Sequence, residues 1–241
     1  MASSYSTNTQ LELVQTGEKA GLWGTINNTN LQILEQAASG YVAIDMAGAS
    51  VTLTLTDGAT SNGKNIYLKL TGTLAANRTL TMPATAERVW IIEDGTNRNG
   101  TNAYTLGVLT ASSSTTTQIP PGGTVLCRSD GTDTKVTILN SGYSAIDNTY
   151  SPYTAVAGHQ IFANTSTNII TVNLPASPSI GDEVTIIDSR NNFTSNAVTV
   201  DRNGQPINNA ATNATLGTNG QAATFVYIDG TCGWNYKTNT A

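Results

Sequence analysis

Polar and apolar residues alternate along much of the chain after residue 40, and this alternation predicts β-strands. The segment Val51-Thr-Leu-Thr-Leu-Thr56 alternates strictly, so that its Val and Leu side chains fall on one face. The segments 66–70 and 79–82 continue the pattern, and the denser apolar run 88–92 predicts a central strand. Asp-Gly, Asn-Gly and Pro-Gly pairs separate these runs and predict turns. We therefore expect a mainly β protein.

One segment has helical spacing instead. Residues 16–39 can begin a helix at Thr16 or Gly17, and Gly40 is placed to end it. Apolar and small residues recur there at intervals of three and four in two adjacent stripes: Trp23, Ile26, Asn30, Ile33 and Ala37 form one, and Asn27, Leu31, Leu34 and Ala38 form the other. The pattern predicts a short N-terminal helix with a wide apolar face.

A lone helix cannot bury both stripes, so this helix needs a partner. We expect it to associate with other copies of the chain or to attach the chain to another protein. The residues predicted to do so are Leu22, Trp23, Ile26, Asn30, Leu31, Ile33 and Leu34. The alternative is that the helix packs on its own β domain.

The β-rich part of the chain repeats itself. Thr79-Leu-Thr-Met-Pro-Ala84 matches Thr171-Val-Asn-Leu-Pro-Ala176, and the Ile-Ile segment 88–94 matches 183–189. Segments 102–106 and 124–132 match 196–200 and 224–231 in the same order. We predict an arm and helix over 1–40, a first β module over 41–142, a linker over 143–160 and a second module over 161–241. The expected fold is mainly β: a short N-terminal helix followed by two repeated β-sandwich-like modules.

Composition and charge narrow the function. Charged residues make up 11% of the chain and the net charge is −5, without a run of Lys or Arg, so we expect no nucleic-acid binding. No apolar stretch is long enough to cross a bilayer, and the N-terminus shows no secretory signal, so we expect no membrane insertion and assembly in a host cytoplasm. Cys127 and Cys232 are expected to be free thiols.

The sequence offers little catalytic chemistry. His159 is the only histidine, and the adjacent carboxylates Glu93-Asp94 and Asp182-Glu183 should point to opposite faces of a strand. We expect no enzyme activity, catalytic residue, metal site or cofactor.

Exposed aromatic residues are the remaining candidates for a binding role. Trp90 lies in an apolar run and is expected in a core. Trp234 and Tyr236 are candidates for surface binding, although Trp234 can instead close a small β core. Tyr143, Tyr150 and Tyr153 cluster in the predicted linker, where they can pack between modules or between protomers.

The segment Gly21-Leu-Trp-Gly-Thr-Ile-Asn-Asn-Thr-Asn30 resembles the start of many bacteriophage structural proteins, particularly of marine and cyanobacterial phages. The β modules resemble tail-fibre and head-fibre repeats that end in the pattern carried here by Val226-Tyr-Ile-Asp-Gly-Thr-Cys-Gly-Trp234. The resemblance implies a virion structural protein, often a homotrimer: a short fibre or spike on the head, neck or tail of a tailed phage. Its implied partners are further copies of itself, other virion proteins (capsid, neck or tail) and a host surface glycan. A capsid decoration protein and a host-glycan-binding or degrading tail protein are the alternatives.

Overall fold

The computed structural model describes residues 4–83, 86–98, 104–110, 116–130, 132–140 and 142–240. These residues form one α-helix and twenty strands, which confirms a mainly β protein with a single helix. A short hairpin of β1 (Ser4–Tyr5) and β2 (Glu12–Leu13) precedes the helix α1 (Trp23–Ser39). The helix ends at Gly40, whose N–H donates the last helical hydrogen bond to the Gln36 carbonyl and whose backbone is extended. A Cβ at this position would lie 2.5 Å from that oxygen.

Residues 41–140 form a first structural unit, called unit 1, of two sheets. Its strands are β3 (Tyr41–Asp45), β4 (Val51–Thr52), β5 (Tyr67–Thr71), β6 (Arg78–Met82), β7 (Glu87–Asp94), β8 (Leu106–Thr110), β9 (Thr117–Gln118), β10 (Thr124–Asp130) and β11 (Thr134–Asn140). One sheet has the order β11-β10-β7-β5-β3, and the other has the order β4-β6-β8-β9.

The chain crosses from one sheet of unit 1 to the other at nearly every connection. β3, β5 and β7 pair in parallel in the first sheet, and β4, β6 and β8 pair in parallel in the second. Successive strands therefore wind as three coils of a solenoid-like arrangement. The winding stops where β9 and then β10 and β11 pair antiparallel with their neighbours.

Residues 143–240 form unit 2, which has the same topology. Its strands are β12 (Tyr143–Asp147), β13 (Tyr153–Thr154), β14 (His159–Asn164), β15 (Ile170–Asn173), β16 (Glu183–Asp188), β17 (Val198–Asp201), β18 (Ala214–Leu216), β19 (Ala222–Asp229) and β20 (Gly233–Thr240). The sheets β12-β14-β16-β19-β20 and β13-β15-β17-β18 again combine parallel coils with an antiparallel end.

The predicted linker over 143–160 is wrong, because these residues begin unit 2. β12, β13 and the first residues of β14 fall within them, and β12 has the place in unit 2 that β3 has in unit 1. The sequences of the two strands agree: Tyr41-Val-Ala-Ile-Asp45 corresponds to Tyr143-Ser-Ala-Ile-Asp147. Each strand ends in an Asp whose carboxylate accepts the N–H of the residue two positions on.

Each unit has its own hydrophobic core between its two sheets. Trp90 and Cys127 face each other across β7 and β10 in the core of unit 1. Trp234 and Phe225 lie in the core of unit 2. Each unit therefore consists of two sheets around one core. Their parallel, sheet-alternating strands make them solenoid-like, however, rather than sandwiches of antiparallel sheets.

Candidate functional site

One face of α1 packs on the rest of its own chain. Ile33 is completely buried. The Asn30 side chain accepts the Glu12 N–H and donates to the Glu12 carbonyl, both at 3.0 Å, which fastens the N-terminal hairpin to the helix. Ile33 and Asn30 were predicted as assembly residues, but their side chains are used within the chain, and Ile26 is partly buried. This face matches the alternative in which the helix packs on its own β domain.

The neighbouring face of α1 is apolar and exposed. Leu22, just before the helix, and Trp23, Leu31 and Leu34 within it expose 54%, 64%, 55% and 44% of their surface. Positions 23, 27, 31, 34 and 38 are spaced by four, four, three and four, so they share one side of the helix. We call Leu22, Trp23, Asn27, Leu31 and Leu34 the assembly face. Together these side chains form an apolar patch rather than scattered exposed residues.

The assembly face carries almost no charge. Glu35 is the only charged residue between Trp23 and Ser39. Two copies of this face can therefore meet without placing like charges against each other, although the whole chain is negative.

The surface-binding role predicted for Trp234 is wrong. Its side chain is completely buried in the core of unit 2, where it meets the Tyr227 ring edge-on at 5.5 Å between centroids. Tyr236 is partly buried and packs against Phe225 at 4.7 Å between ring centroids. The indole ring of Trp90 is also buried, and its Nε1–H donates to the Gly63 carbonyl at 2.8 Å. These three aromatic residues stabilise the cores of the two units.

The adjacent carboxylates of β7 point to opposite faces, as the strand pattern predicts. Asp94 is buried and accepts from Arg98 Nη2 at 2.6 Å and from the Thr96 N–H at 2.9 Å and the Gly122 N–H at 3.2 Å. Glu93 lies on the outer face, where it accepts from the Tyr67 hydroxyl and pairs with Lys69 at 3.0 Å. The hydrogen bonds from Tyr67 and Lys69 hold the pKa of Glu93 below its ordinary value.

Asp188 holds the position in unit 2 that Asp94 holds in unit 1. Its carboxylate accepts four backbone N–H groups, including those of Phe193 at 3.1 Å and Gly220 at 3.0 Å. Burial acts to raise the pKa of Asp188, but these hydrogen bonds outweigh it and lower the pKa. Both Asp residues thus serve as acceptors that fix loops.

Unit 1 and unit 2 form an open cleft of about 390 Å³ at their junction, which we call the junction cleft. Thr96, Asn97, Arg98, Pro121 and Gly122 of unit 1 line it, and so do Tyr143–Ile146, Tyr150 and Tyr153 of unit 2. Tyr143 is 67% exposed at its rim and contacts the Phe162 ring at 5.4 Å between centroids. The three tyrosines expected between modules or protomers thus lie at the boundary between the units.

Behind the junction cleft lies a buried polar triplet. Nε2 of His159 is 3.0 Å from the Ser144 hydroxyl and 3.1 Å from the Tyr153 hydroxyl, and His159 is 1% exposed. Burial, with a smaller contribution from the nearby Arg98 charge, lowers the pKa of His159 to about 3. The imidazole is therefore neutral near pH 7, and hydrogen-bonded rather than exposed to a substrate.

Other chemistry is sparse in the part of the chain described. Cys127 is a buried free thiol whose pKa is raised to about 12 by burial, and Cys232 is a free thiol with partial exposure. No group of three or more His, Cys, Asp or Glu residues suited to a metal ion occurs among the described residues. None of the helices among these residues is long and apolar enough to cross a membrane.

Comparison with known proteins adds little. No protein-family model and no curated protein matches the chain. One similar solved structure is described as "Structure of a chaperone-substrate complex"; it is 16% identical over 82% of this chain, with a TM-score of 0.39. This chain spans about a third of that chain, covering 32% of its length. At this level of similarity the likeness supports no conclusion about function.

Proposed function

We propose that this protein is a virion structural protein that forms a short trimeric fibre or spike of a tailed bacteriophage. Its N-terminal region anchors it to the head, neck or tail, and its two β units project from there. The observation that carries the assembly role is the exposed apolar face of α1. The phage assignment rests on the resemblance of residues 21–30 and 226–234 to phage fibre proteins.

The assembly face suits other copies of this chain because of its chemistry. It pairs exposed apolar side chains with uncharged amides, and its single neighbouring charge, Glu35, cannot oppose self-association strongly. A coiled-coil-like seam of this spacing buries its apolar positions only when another helix lies against it. Three copies of α1 therefore satisfy a requirement that one copy leaves unmet.

The exposed area is large enough to matter for assembly. A Trp side chain buries up to roughly 250 Å². At 64% exposure, Trp23 alone therefore has on the order of 150 Å² left to bury. At about 25 cal/mol per Å², this corresponds to about 4 kcal/mol for each copy before the entropy of association is subtracted. Leu22, Leu31 and Leu34 add to this value.

The β units suit a projecting role. Each has a separate core, so each can stay folded at a distance from the anchoring helix. Asp94 and Asp188 are occupied by hydrogen bonds, and Glu183 pairs with Lys237 at 2.6 Å, so these three carboxylates are held in structural contacts rather than as a pair for glycoside cleavage. These observations favour a structural role over an enzymatic one.

Analytical ultracentrifugation of charge variants tests the proposal. Trp23→Asp with Leu31→Asp places two charges on the assembly face, and we expect this variant to sediment as a monomer while the original chain sediments as a trimer. Thr25→Asp with Gln32→Asp adds the same charge to exposed positions on the opposite side of α1 and should leave the trimer intact. Ile33 is unsuitable for this test, because a charge there would disrupt packing within the chain.

A monomeric original chain, or equal effects of both double variants, would refute assembly through this face. Quantitative mass spectrometry of purified particles then separates a fibre from a decoration protein. A copy number that follows the number of shell subunits would indicate decoration. A copy number that follows the symmetry of the vertices or the neck would indicate a fibre.

A further inference from the structure

We infer that the junction cleft binds a neutral sugar residue of a surface polysaccharide. This inference names a ligand class for the host-contacting part of the function proposed above and rests on that proposal for its biological meaning. The physical case rests on the lining, the charge and the duplicated architecture of the cleft.

The lining of the cleft combines aromatic rings with small polar groups. Tyr143 presents an exposed ring that contacts the Phe162 ring, and Tyr150 also lines the cleft. A flat ring of this kind can stack on the apolar C–H face of a pyranose, while hydroxyls and amides bind its edge. Thr96 and Asn97 bring such polar groups from the unit 1 side. The volume of about 390 Å³ falls within the range of small-molecule sites.

The charges of the cleft favour a neutral ligand over an anionic one. Arg98 is the cation in its wall, and Asp94 neutralises it in a buried ion pair at 2.6 Å. His159 is uncharged near pH 7 because its pKa is lowered to about 3. The cleft wall therefore carries no uncompensated positive charge that would favour an anion, whereas the hydroxyls of a neutral sugar can exchange hydrogen bonds with its polar groups.

The duplication shows that the polar back wall is not needed for the fold. Strand pairing places Ser144, Tyr153 and His159 of unit 2 at the positions of Val42, Val51 and Ile66 of unit 1. Unit 1 forms the same coils with three apolar side chains. Ser144 and Tyr153 belong to the lining of the cleft, whereas Val42, Val51 and Ile66 do not, which associates the polar side chains with this junction.

A second cavity between the units fits a sugar less well. It measures about 730 Å³ and is lined by aliphatic residues such as Val136 and Ile138 and by polar ones such as Gln118, Asp182 and Asn203, without an aromatic ring among the described residues. Because stacking partners are missing there, we place the sugar site in the junction cleft.

Titration of the full-length protein with defined sugars tests the inference. The ligands are glucose, galactose, mannose, N-acetylglucosamine, cellobiose and lactose, with glucuronic acid as the anionic probe, followed by saturation-transfer NMR and calorimetry. We expect saturable binding of at least one neutral sugar and weaker binding of glucuronic acid. Tyr143→Ala should weaken binding by about tenfold, because it removes one stacking surface. Tyr143→Phe should retain most of it.

Tyr41→Ala is the matched control. Tyr41 is the equivalent exposed residue of unit 1 and lies outside the cleft lining, so its removal should leave sugar affinity unchanged. The inference is overturned if no neutral sugar binds saturably at tens of millimolar, if both Ala variants lose affinity equally, or if glucuronic acid binds more tightly. The oligomeric state, measured on the same samples, reports on the proposed trimer separately, because the assembly face does not include Tyr143.

Discussion

His159 should make unit 2 sensitive to acid. It is the only histidine in the chain, so between pH 5 and 7 no other side-chain type has an ordinary pKa. Its pKa is about 3 in the folded protein and 6.5 in a solvated chain, so the unfolded state binds the proton first. The stabilising effect of keeping the imidazole neutral is therefore complete above pH 6.5 and is lost progressively as the pH falls toward 3.

The expected size follows from the shift in pKa. Each pH unit below 6.5 lowers the free energy of unfolding by about 1.4 kcal/mol until the folded pKa is approached. Between pH 8 and pH 5 the loss is about 2 kcal/mol. Protonation inside unit 2 would place a second positive charge near Arg98, which already forms an ion pair with Asp94.

Hydrogen exchange mass spectrometry, corrected for the intrinsic exchange rate at each pH, measures this loss in each unit. Peptides from 143–164 should lose protection as the pH falls from 8 to 5, while peptides from 41–71 should not, because unit 1 has Val42, Val51 and Ile66 at the equivalent positions. His159→Gln retains a hydrogen-bonding side chain but does not titrate, so it should abolish the difference between the pH values.

Three results would refute this reasoning about His159. They are equal acid sensitivity of both units, unchanged protection of unit 2 at pH 5, and the same loss of protection in His159→Gln as in the original chain. Burial raises the pKa of Asp182, which acts in the opposite direction. This contribution is present in both proteins, so it cancels when the original chain and the variant are compared at the same pH.

Three further predictions concern the cores. Trp234→Ala should lower the free energy of unfolding of unit 2 by about 3–5 kcal/mol in urea titrations, whereas a change below about 1 kcal/mol would show that the indole is not a core residue. Asp188→Ala should cost about 3 kcal/mol, measured in the same way, because four backbone N–H groups lose their acceptor; a neutral effect would contradict that role. A thiol reagent at pH 8 should modify Cys232 in the folded protein and Cys127 only after unfolding, and rapid reaction of both by mass spectrometry would contradict the burial of Cys127.

The helix, the β-rich composition of the fold and the duplication could all be predicted from residue patterns. The face of α1 that packs on the chain could not, because both stripes have similar apolarity. The two hydrogen bonds between Asn30 and Glu12 help to fix which face of α1 packs on the chain. Periodicity does not reveal such a contact between residues that are far apart in sequence.

The order of strands within the sheets also could not be predicted from the alternation of polar and apolar residues. Alternation shows which side chains share a face, but it does not show whether the next strand joins the same sheet or the opposite one. The match of Ile91-Ile92 with Ile186-Ile187 in the sequence is shifted by one residue from the structural correspondence, in which Ile92 and Ile186 both point inward. A slip of one residue exchanges the two faces of a strand, so only the core could fix the alignment.

The junction cleft was the feature most hidden in the sequence. The unit 2 residues of its lining lie in the segment 143–160, for which the sequence predicts a linker because tyrosines, Pro152 and Gly158 interrupt the alternation there. The near-identity of 41–45 and 143–147 was the signal that would have extended the second repeat to its true start. The cleft itself forms only when the end of one unit meets the beginning of the next.

The antiparallel end of each unit has a consequence for how such a chain can change in length. The antiparallel pair β10–β11 ends unit 1, and the antiparallel pair β19–β20 ends unit 2. Each unit therefore contains only complete coils. Duplication of about a hundred codons would thus add another unit without disturbing the units already present. The length of the protein could then change by one whole unit at a time. Each added unit would create a new cleft at its boundary, and the residues of that cleft could change independently of the others.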